Sequence, residues 1–166
     1  MRDRELEQLF SERYQPMVRL AAWLVNDVAL AEEIVQDAFV RIATSSRSLA
    51  TVDSSTAYLR TTVVNVARTR IRRLALARRH QPKPSNPAPS AEDLLADDEL
   101  AAAVASLPRR QRECVALRYT DDLTINDIAD TLGISPGAVK SHLHRALTTL
   151  ASVLEGSTAA VGQEAP

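Results

Sequence analysis

Apolar residues recur every three or four positions through most of the chain, which is the spacing of amphipathic helices. The pattern is clearest from Thr124 to Leu150, where TINDIADTLGISPGAVKSHLHRALTTL predicts two helices joined by a tight turn. Thr124 and Asp127 have the spacing of a capping box at the start of the first helix. Gly133 follows the apolar stripe, where a left-handed residue ends a helix at low cost.

The second helix of this hairpin is predicted to start with Ser135 as N-cap and Pro136 as its first residue. Its apolar stripe consists of Val139, Leu143, Ala146, Leu147 and Leu150. Its other face carries Lys140, Ser141, His142 and Arg145. The small Ala129 at the expected helix crossing and this basic face together indicate a helix-turn-helix that reads DNA with its second helix. An ordinary helical hairpin is the alternative.

Three amphipathic helices are predicted in the first half of the chain, at about residues 4–25, 29–43 and 56–79. Asp3 is a possible N-cap for the first, and Pro16 either kinks that helix or begins another one. Ser55 or Thr56 is expected to cap the third. The small, polar residues 44–55 are expected to form a loop before it. The polar face of the second helix is interpreted, on pattern alone, as solvated surface.

Charge is strongly segregated although the formal net charge is only −1. From Ser54 to Ser90 the chain has no Asp or Glu, but it has Arg60, Arg68, Arg70, Arg72, Arg73, Arg78, Arg79 and Lys83. Arginines without acidic partners repel one another along a helix, and contact with phosphates relieves that repulsion. The third helix is therefore predicted to bind nucleic acid, with a merely solvated basic helix as the alternative.

Residues 81–91 read QPKPSNPAPSA, and their prolines favour an extended linker over a helix. The predicted fold is all-α, with two small helical domains at residues 1–80 and 92–155 and a disordered tail at 156–166. The second domain is expected to begin with an acid-rich helix that includes Leu94 and Leu95. Pro108 is then expected as the first residue of another helix.

Several classes of protein are disfavoured by what the sequence lacks. Cys114 is the only cysteine, so an internal disulfide is excluded, and its apolar neighbours suggest a small core residue. His142 and His144 lie on different helical faces and are poor joint metal ligands. Neither a catalytic motif nor a cofactor loop is evident, so neither an enzyme nor a bound cofactor is expected. Without a long apolar run, no membrane insertion and a cytoplasmic location are expected.

Two segments in this order resemble the bacterial extracytoplasmic-function (ECF) sigma factors, which are minimal two-domain members of the sigma-70 family. AEEIVQDAFVRI, at residues 31–42, is similar to their core-binding segment. LPRRQRECVALRY followed by LTINDIADTLGISPGAVKSHLHRAL, within residues 107–147, is similar to their DNA-binding region. The similarity extends over about residues 9–150.

The resemblance implies a factor that binds core RNA polymerase and directs it to promoter DNA. The surface implied to meet the clamp of the largest polymerase subunit is Glu32, Glu33, Gln36, Asp37 and Phe39. The residues implied to meet the −10 element are Tyr58, Asn65, Arg68 and Arg72, with Asn65 holding an unstacked base. Those implied to face the −35 element are Lys140, Ser141, His142 and Arg145. The flap of the second-largest subunit and an anti-sigma factor are the further implied partners.

Three positions depart from the family pattern. Tyr58 lies at or near the position where the family often has Trp, which predicts weak promoter melting that is strict about sequence. His142 replaces an Arg that grips guanine with two hydrogen bonds, which predicts an altered −35 preference. Thr148 and Thr149 replace arginines. Two rival functions remain from the residues: a dimeric helix-turn-helix regulator acting without polymerase, and a helical adaptor that binds an acidic protein.

Overall fold

The structure is a computed structural model that describes residues 3–45, 51–80 and 98–161. The described residues form helices and no strand, as the all-α prediction requires. The helices are α1 Asp3–Val25, α2 Val28–Thr44, α3 Val52–His80, α4 Asp98–Ser106, α5 Arg109–Thr120, α6 Ile125–Leu132 and α7 Pro136–Val161. They fall into two compact units, Met1–Leu94 and Leu95–Pro166. The predicted linker at residues 81–91, and Leu94 and Leu95, lie outside the described residues.

The first unit is a bundle in which α1, α2 and α3 each pack against the other two. Its centre consists of fully buried aliphatic side chains from all three helices, including Met17, Leu20, Ile34, Ile42, Leu59 and Val63. Burying one such side chain contributes about 1.5–3 kcal/mol. The predicted apolar stripes therefore meet at one core, which leaves the polar faces of α2 and α3 on the outside.

Pro16 lies within α1 without ending it, so this part of the chain forms one helix and a second helix does not begin at the proline. Its ring removes the amide hydrogen that the carbonyl of Glu12 would accept. Met17, Val18 and Leu20 directly after it are buried, so packing against the other helices holds the chain helical through that gap. Asp3 is the first residue of this helix rather than a residue before it.

The start of α3 differs from the sequence prediction, because the helix begins at Val52 and not at Thr56. Thr51 is the residue that caps it: the Ser54 amide donates to Thr51 Oγ1 at 3.1 Å, and the Thr51 amide donates to Ser54 Oγ at 3.1 Å. This reciprocal pair satisfies two amides that the helix itself leaves free. Ser55 and Thr56, the expected caps, are instead buried in the first turns.

In the second unit, α7 packs against α4, α5 and α6. The hairpin between α6 and α7 has the predicted features. Thr124 and Asp127 form the capping box, and Gly133 has a left-handed φ of +66°. Ser135 Oγ accepts from the Ala138 amide at 3.1 Å, so Ser135 caps α7 as predicted. Pro108 precedes α5 as its N-cap, one position before its predicted role.

Helix α7 is longer than the sequence suggested, because it continues from Gly156 to Val161, where a disordered tail was expected. A single Gly within a helix costs only about 1 kcal/mol relative to Ala, so it does not stop the helix by itself. The buried stripe is also narrower than predicted. Val139, Leu143 and Ala146 are buried, but Leu147 is 43% exposed.

Candidate DNA and polymerase interfaces

The polar face of α2 carries most of the residues that the resemblance assigns to polymerase. Glu32, Glu33 and Gln36 are exposed, and Asp37 is half-buried. Two of the carboxylates have basic partners. Asp37 Oδ2 lies 3.3 Å from Arg41 Nη2 one turn along the same helix, and Glu33 Oε2 lies 3.6 Å from Arg70 Nη1 on α3. All four side chains keep solvent contact, so the pairs are available to a partner surface.

Phe39 does not belong to this exposed face, which corrects its expected placement. It is 6% exposed, and its ring packs against Phe10 at 5.1 Å and Tyr14 at 6.4 Å between centroids. Packing against these two aromatic residues of α1 removes the apolar ring of Phe39 from water, which a position on the polar face would not do. Val40, at 60% exposure, lies on the polar face instead.

The sequence prediction assigned Val40 to neither face of this helix and placed Phe39 beside the polar residues instead. The signal was present in the helical spacing, since Val40 is seven residues after Glu33, four after Gln36 and three after Asp37. These four residues therefore form one continuous stripe. Together with Glu32 they make up a surface that we call the α2 face.

On α3, the residues predicted to meet the −10 element share one side of the helix. Tyr58, Asn65, Arg68 and Arg72 follow one another at intervals of seven, three and four residues, which returns to the same side each time. Asn65 and Arg72 are exposed, and Tyr58 and Arg68 are half-buried. The guanidinium of Arg68 donates to Asn65 Oδ1 at 3.4 Å. The helix thus presents an aromatic ring, an amide and two guanidinium groups along one line.

The arginines of α3 do not all face the same surroundings. Arg60 is buried at 8% exposure within the first unit, so it is not part of a DNA-facing ladder. Arg70 pairs with Glu33, an acid that the sequence places on another helix. Arg72, Arg73, Arg78 and Arg79 are exposed. The predicted basic surface is therefore concentrated in the second half of α3.

On α7, Lys140, Ser141 and Arg145 are exposed, as the sequence predicted. His142 is only half-exposed, and its Nδ1 atom is buried with no hydrogen-bond partner among the described residues. His144 is exposed. At 100° per residue, positions 140, 141, 144 and 145 share one side of the helix, while position 142 turns toward the packed side. The structure therefore groups His144, not His142, with the other three residues, and a helical wheel of the sequence contains that signal.

Cys114 is fully buried on α5. The pKa of its thiol is raised to about 11, chiefly by burial and also by the nearby Glu113 carboxylate, while the Arg110 guanidinium acts in the opposite direction. The prediction of a core residue is consistent with this environment, because the thiolate is the reactive form and is disfavoured here.

The described ranges contain no group of three or more His, Cys, Asp or Glu side chains placed to hold a metal ion. Within the same part of the chain, no helix has both the length and the apolar character needed to cross a bilayer.

Two family models match the chain, one in each unit. The model described as Sigma-70 region 2 matches residues 9–77, and the model described as Sigma-70, region 4 matches residues 97–150. The first match contains the α2 face and the exposed line on α3. The second contains the α6–α7 hairpin.

Curated relatives and a solved structure are similar to most of the chain. The RNA polymerase sigma-E factor of Streptomyces antibioticus is 31% identical over 91% of this chain and 85% of its own length. The ECF RNA polymerase sigma factor SigM of Mycobacterium tuberculosis is 30% identical over 89% of this chain and 76% of its own length. The sigma factor RpoE of Bartonella quintana, solved in complex with the anti-sigma factor NepR, has the same fold, with a TM-score of 0.69, 21% identity and coverage of 90% and 96% of the two chains.

Proposed function

The chain belongs to the sigma-70 family of RNA polymerase sigma factors, and from that membership we propose how its surfaces divide the work of promoter recognition. It is an initiation factor that binds core RNA polymerase and directs transcription from promoters with −10 and −35 elements. The observation that carries this function is the presence of region 2 and region 4 in one chain, each in its own compact unit. The rival of an independent helix-turn-helix regulator gives no account of the match to region 2.

The α2 face is our proposed contact with the clamp of the largest polymerase subunit. Its centre is Gln36 and Val40, with carboxylates on either side, and Phe39 supports it from below through Phe10 and Tyr14. An exposed Val between acidic side chains is suited to a partner that is itself apolar and basic, because it adds buried area where the charges set orientation. Phe39 is thus proposed as a support and not as a contact.

The line on α3 is our proposed −10 site. Arg72 and its exposed neighbours supply phosphate contacts, which are independent of sequence, and Asn65 supplies the hydrogen bonds that distinguish one base from another. The bond from Arg68 to Asn65 Oδ1 fixes the amide in one orientation, which a base-reading group needs. Tyr58 offers the one aromatic ring of this line for stacking.

The outer side of α7 is our proposed −35 site, with Lys140, Ser141, His144 and Arg145 facing the major groove. A helix-turn-helix places the first turns of its second helix against base edges, and these four residues lie there on one side. His142 is proposed to support the helix from its flank. The flap of the second-largest subunit remains our proposed partner for the second unit.

Regulation by an anti-sigma factor is proposed by analogy with relatives. The support is the Bartonella quintana sigma factor, which was solved with an anti-sigma factor bound. Because core polymerase and promoter DNA are cytoplasmic in bacteria, we also propose a cytoplasmic location. The chemistry of RNA synthesis is assigned to polymerase, so the chain itself is proposed to catalyse nothing.

Binding to purified core polymerase tests the role of the α2 face. Asp37→Arg reverses a charge at the edge of this face and places a cation one turn from Arg41, so we expect core affinity to fall about tenfold or more. Glu7→Arg is the matched control, because it makes the same charge change at an exposed position of α1 in the same unit. Equal affinity for the two variants would remove Asp37 from the polymerase contact.

A transcription assay with reconstituted holoenzyme tests the assignment of the two histidines. His144→Ala is expected to change the preference among −35 sequences by about fivefold or more, since one good base contact is worth about 1–3 kcal/mol. His142→Ala is expected to leave that preference unchanged. The reverse result would show that the half-buried histidine, and not the exposed one, reads the promoter.

A further inference from the structure

Two arginines of α5 hold the two ends of α6. Arg118 Nη1 donates to the carbonyl of Leu123, just before α6, at 2.6 Å. Arg110 Nη1 donates to the carbonyl of Leu132, the last residue of α6, at 3.4 Å. The two arginines are eight positions apart on α5, a rise of about 12 Å, which matches the length of an eight-residue helix. The two helices therefore run antiparallel with one arginine at each end.

Arg110 is itself fixed in place by a buried carboxylate. Its Nη1 atom lies 3.3 Å from Oε2 of Glu113, which is only 2% exposed. Arg109 approaches the other oxygen of Glu113 at 3.9 Å. A guanidinium at the C-terminal end of a helix also meets the negative end of the helix dipole. The side chain of Arg110 thus connects a buried carboxylate on α5 to the C-terminal end of α6.

The C-terminal end of α6 determines where α7 begins. Leu132 is followed by Gly133 in the left-handed conformation, and the Ile134 amide donates to the Ala129 carbonyl at 3.1 Å to close the end of α6. Ser135 then caps α7. Only three residues separate α6 from α7, so a rotation of the last turn of α6 is carried into the direction of α7.

We infer that Arg110, held by Glu113, is a positioning residue for −35 recognition, and that Arg118 plays the same part at the entry of α6. The inference rests on the proposed role of α7 at the −35 element. By fixing both ends of α6, the arginines fix the angle at which α7 enters the major groove. Neither arginine is required to touch DNA.

This arrangement predicts a loss of discrimination rather than a loss of DNA binding. Hydrogen bonds to base edges depend on the precise angle of the recognition helix, whereas phosphate contacts tolerate small rotations and carry no direct sequence information. Greater freedom at the C-terminal end of α6 therefore lowers affinity for the preferred −35 sequence and leaves affinity for a scrambled sequence nearly unchanged.

The test uses the full chain in holoenzyme, with promoters that differ only in the −35 element. Arg110→Lys keeps a cation beside Glu113, but its side chain is one bond shorter, so its donor no longer reaches the Leu132 carbonyl, which lies 3.4 Å from Arg110 Nη1. Arg110→Met with Glu113→Gln removes both charges, so that no buried charge is left alone. Arg109→Lys is the control, because Arg109 pairs with the same carboxylate, is 57% exposed, and has no described hydrogen bond to α6.

For both Arg110 variants we expect the ratio of preferred to scrambled affinity to fall about tenfold, and for Arg109→Lys we expect no change. Hydrogen exchange in α4, α5 and α7 should stay protected, while the amides of Gly133 and Ile134 should exchange faster. An unchanged ratio in both variants, or an equal fall for the two promoters, would overturn the inference. A wild-type chain with no −35 preference would instead overturn the proposed function, and the inference with it.

Discussion

The two units achieve a fixed shape by different means. The first is built from three helices of 23, 17 and 29 residues, and its centre is aliphatic. Two of its ion pairs, Asp37 with Arg41 and Glu33 with Arg70, lie at the surface. In the second unit, three of the helices have only 9, 12 and 8 residues, and they are joined by a buried glutamate and by bonds from Arg110, Arg112 and Arg118 to backbone carbonyls.

Helix length explains the contrast. Every helix leaves four amides and four carbonyls without internal partners, whatever its length. In a long helix these are a small fraction, so an apolar stripe is enough to hold it. In the eight residues of α6, half of the amides and half of the carbonyls have no partner within the helix itself. The second unit must therefore supply caps and side-chain donors, and its shape depends on them.

The largest effect is expected from the aliphatic centre of the first unit. Leu59→Ala should cost about 2–5 kcal/mol, because Leu59 is fully buried and its removal leaves a cavity. Hydrogen exchange during urea titration of the full chain would show the loss in α1, α2 and α3 only. Leu74→Ala is the control, as this leucine is exposed on the same helix. Equal weakening of α5 and α7 would show that the two units do not unfold separately.

Effects of intermediate size on the free energy of unfolding are expected when two glycines of the second unit are replaced, and the two effects should have opposite signs. Gly133→Ala should destabilise it by about 1 kcal/mol, since φ is positive and an added Cβ meets nothing within 4 Å, so that only backbone strain acts. Gly137→Ala, in the first turn of α7, should stabilise it by about 0.5–1 kcal/mol. Thermal unfolding measures both. The same sign for both would mean that the left-handed turn is not what ends α6.

The smallest effect is expected at Cys114, whose thiol should react with iodoacetamide at pH 8 only when the second unit opens. Its pKa of about 11 leaves almost no thiolate in the folded chain. Because Leu59 lies in the first unit and Cys114 in the second, Leu59→Ala should leave the rate of Cys114 alkylation unchanged. Because the folded pKa lies above the ordinary value of 9.0, the unfolded chain loses its proton first, and this group should reduce stability as pH rises from 9 to 11. Fast alkylation at pH 8 without unfolding would contradict this burial.

The features that the sequence predicted well are those determined within a few residues. The capping box of Thr124 and Asp127, the turn at Gly133 and the cap at Ser135 each depend on local hydrogen bonds or on one backbone angle. The start of α3 was misplaced because several hydroxyl residues in a row offered competing caps, and the reciprocal bonds of Thr51 and Ser54 prevailed.

The placement of single side chains in the candidate sites was harder to predict, because it depends on neighbouring helices. Phe39 is buried because α1 brings Phe10 and Tyr14 to it, and no pattern within α2 contains that information. The exposure of Val40 and His144 could have been predicted from the sequence, since helical spacing alone places them on the exposed sides. The carbonyl contacts of Arg110 and Arg118 join separate helices and have no signal in sequence spacing.

The division into two all-helical units also bears on how the chain folds during synthesis. In the first unit, the described contacts join three consecutive helices, all complete by His80. Helical bundles with contacts this local fold in microseconds to milliseconds, whereas ribosomes add about 5–20 residues per second. The residues after His80 therefore take several seconds to appear. The first unit, including its arginine-rich α3, therefore has time to fold before the hairpin of the second unit is synthesised.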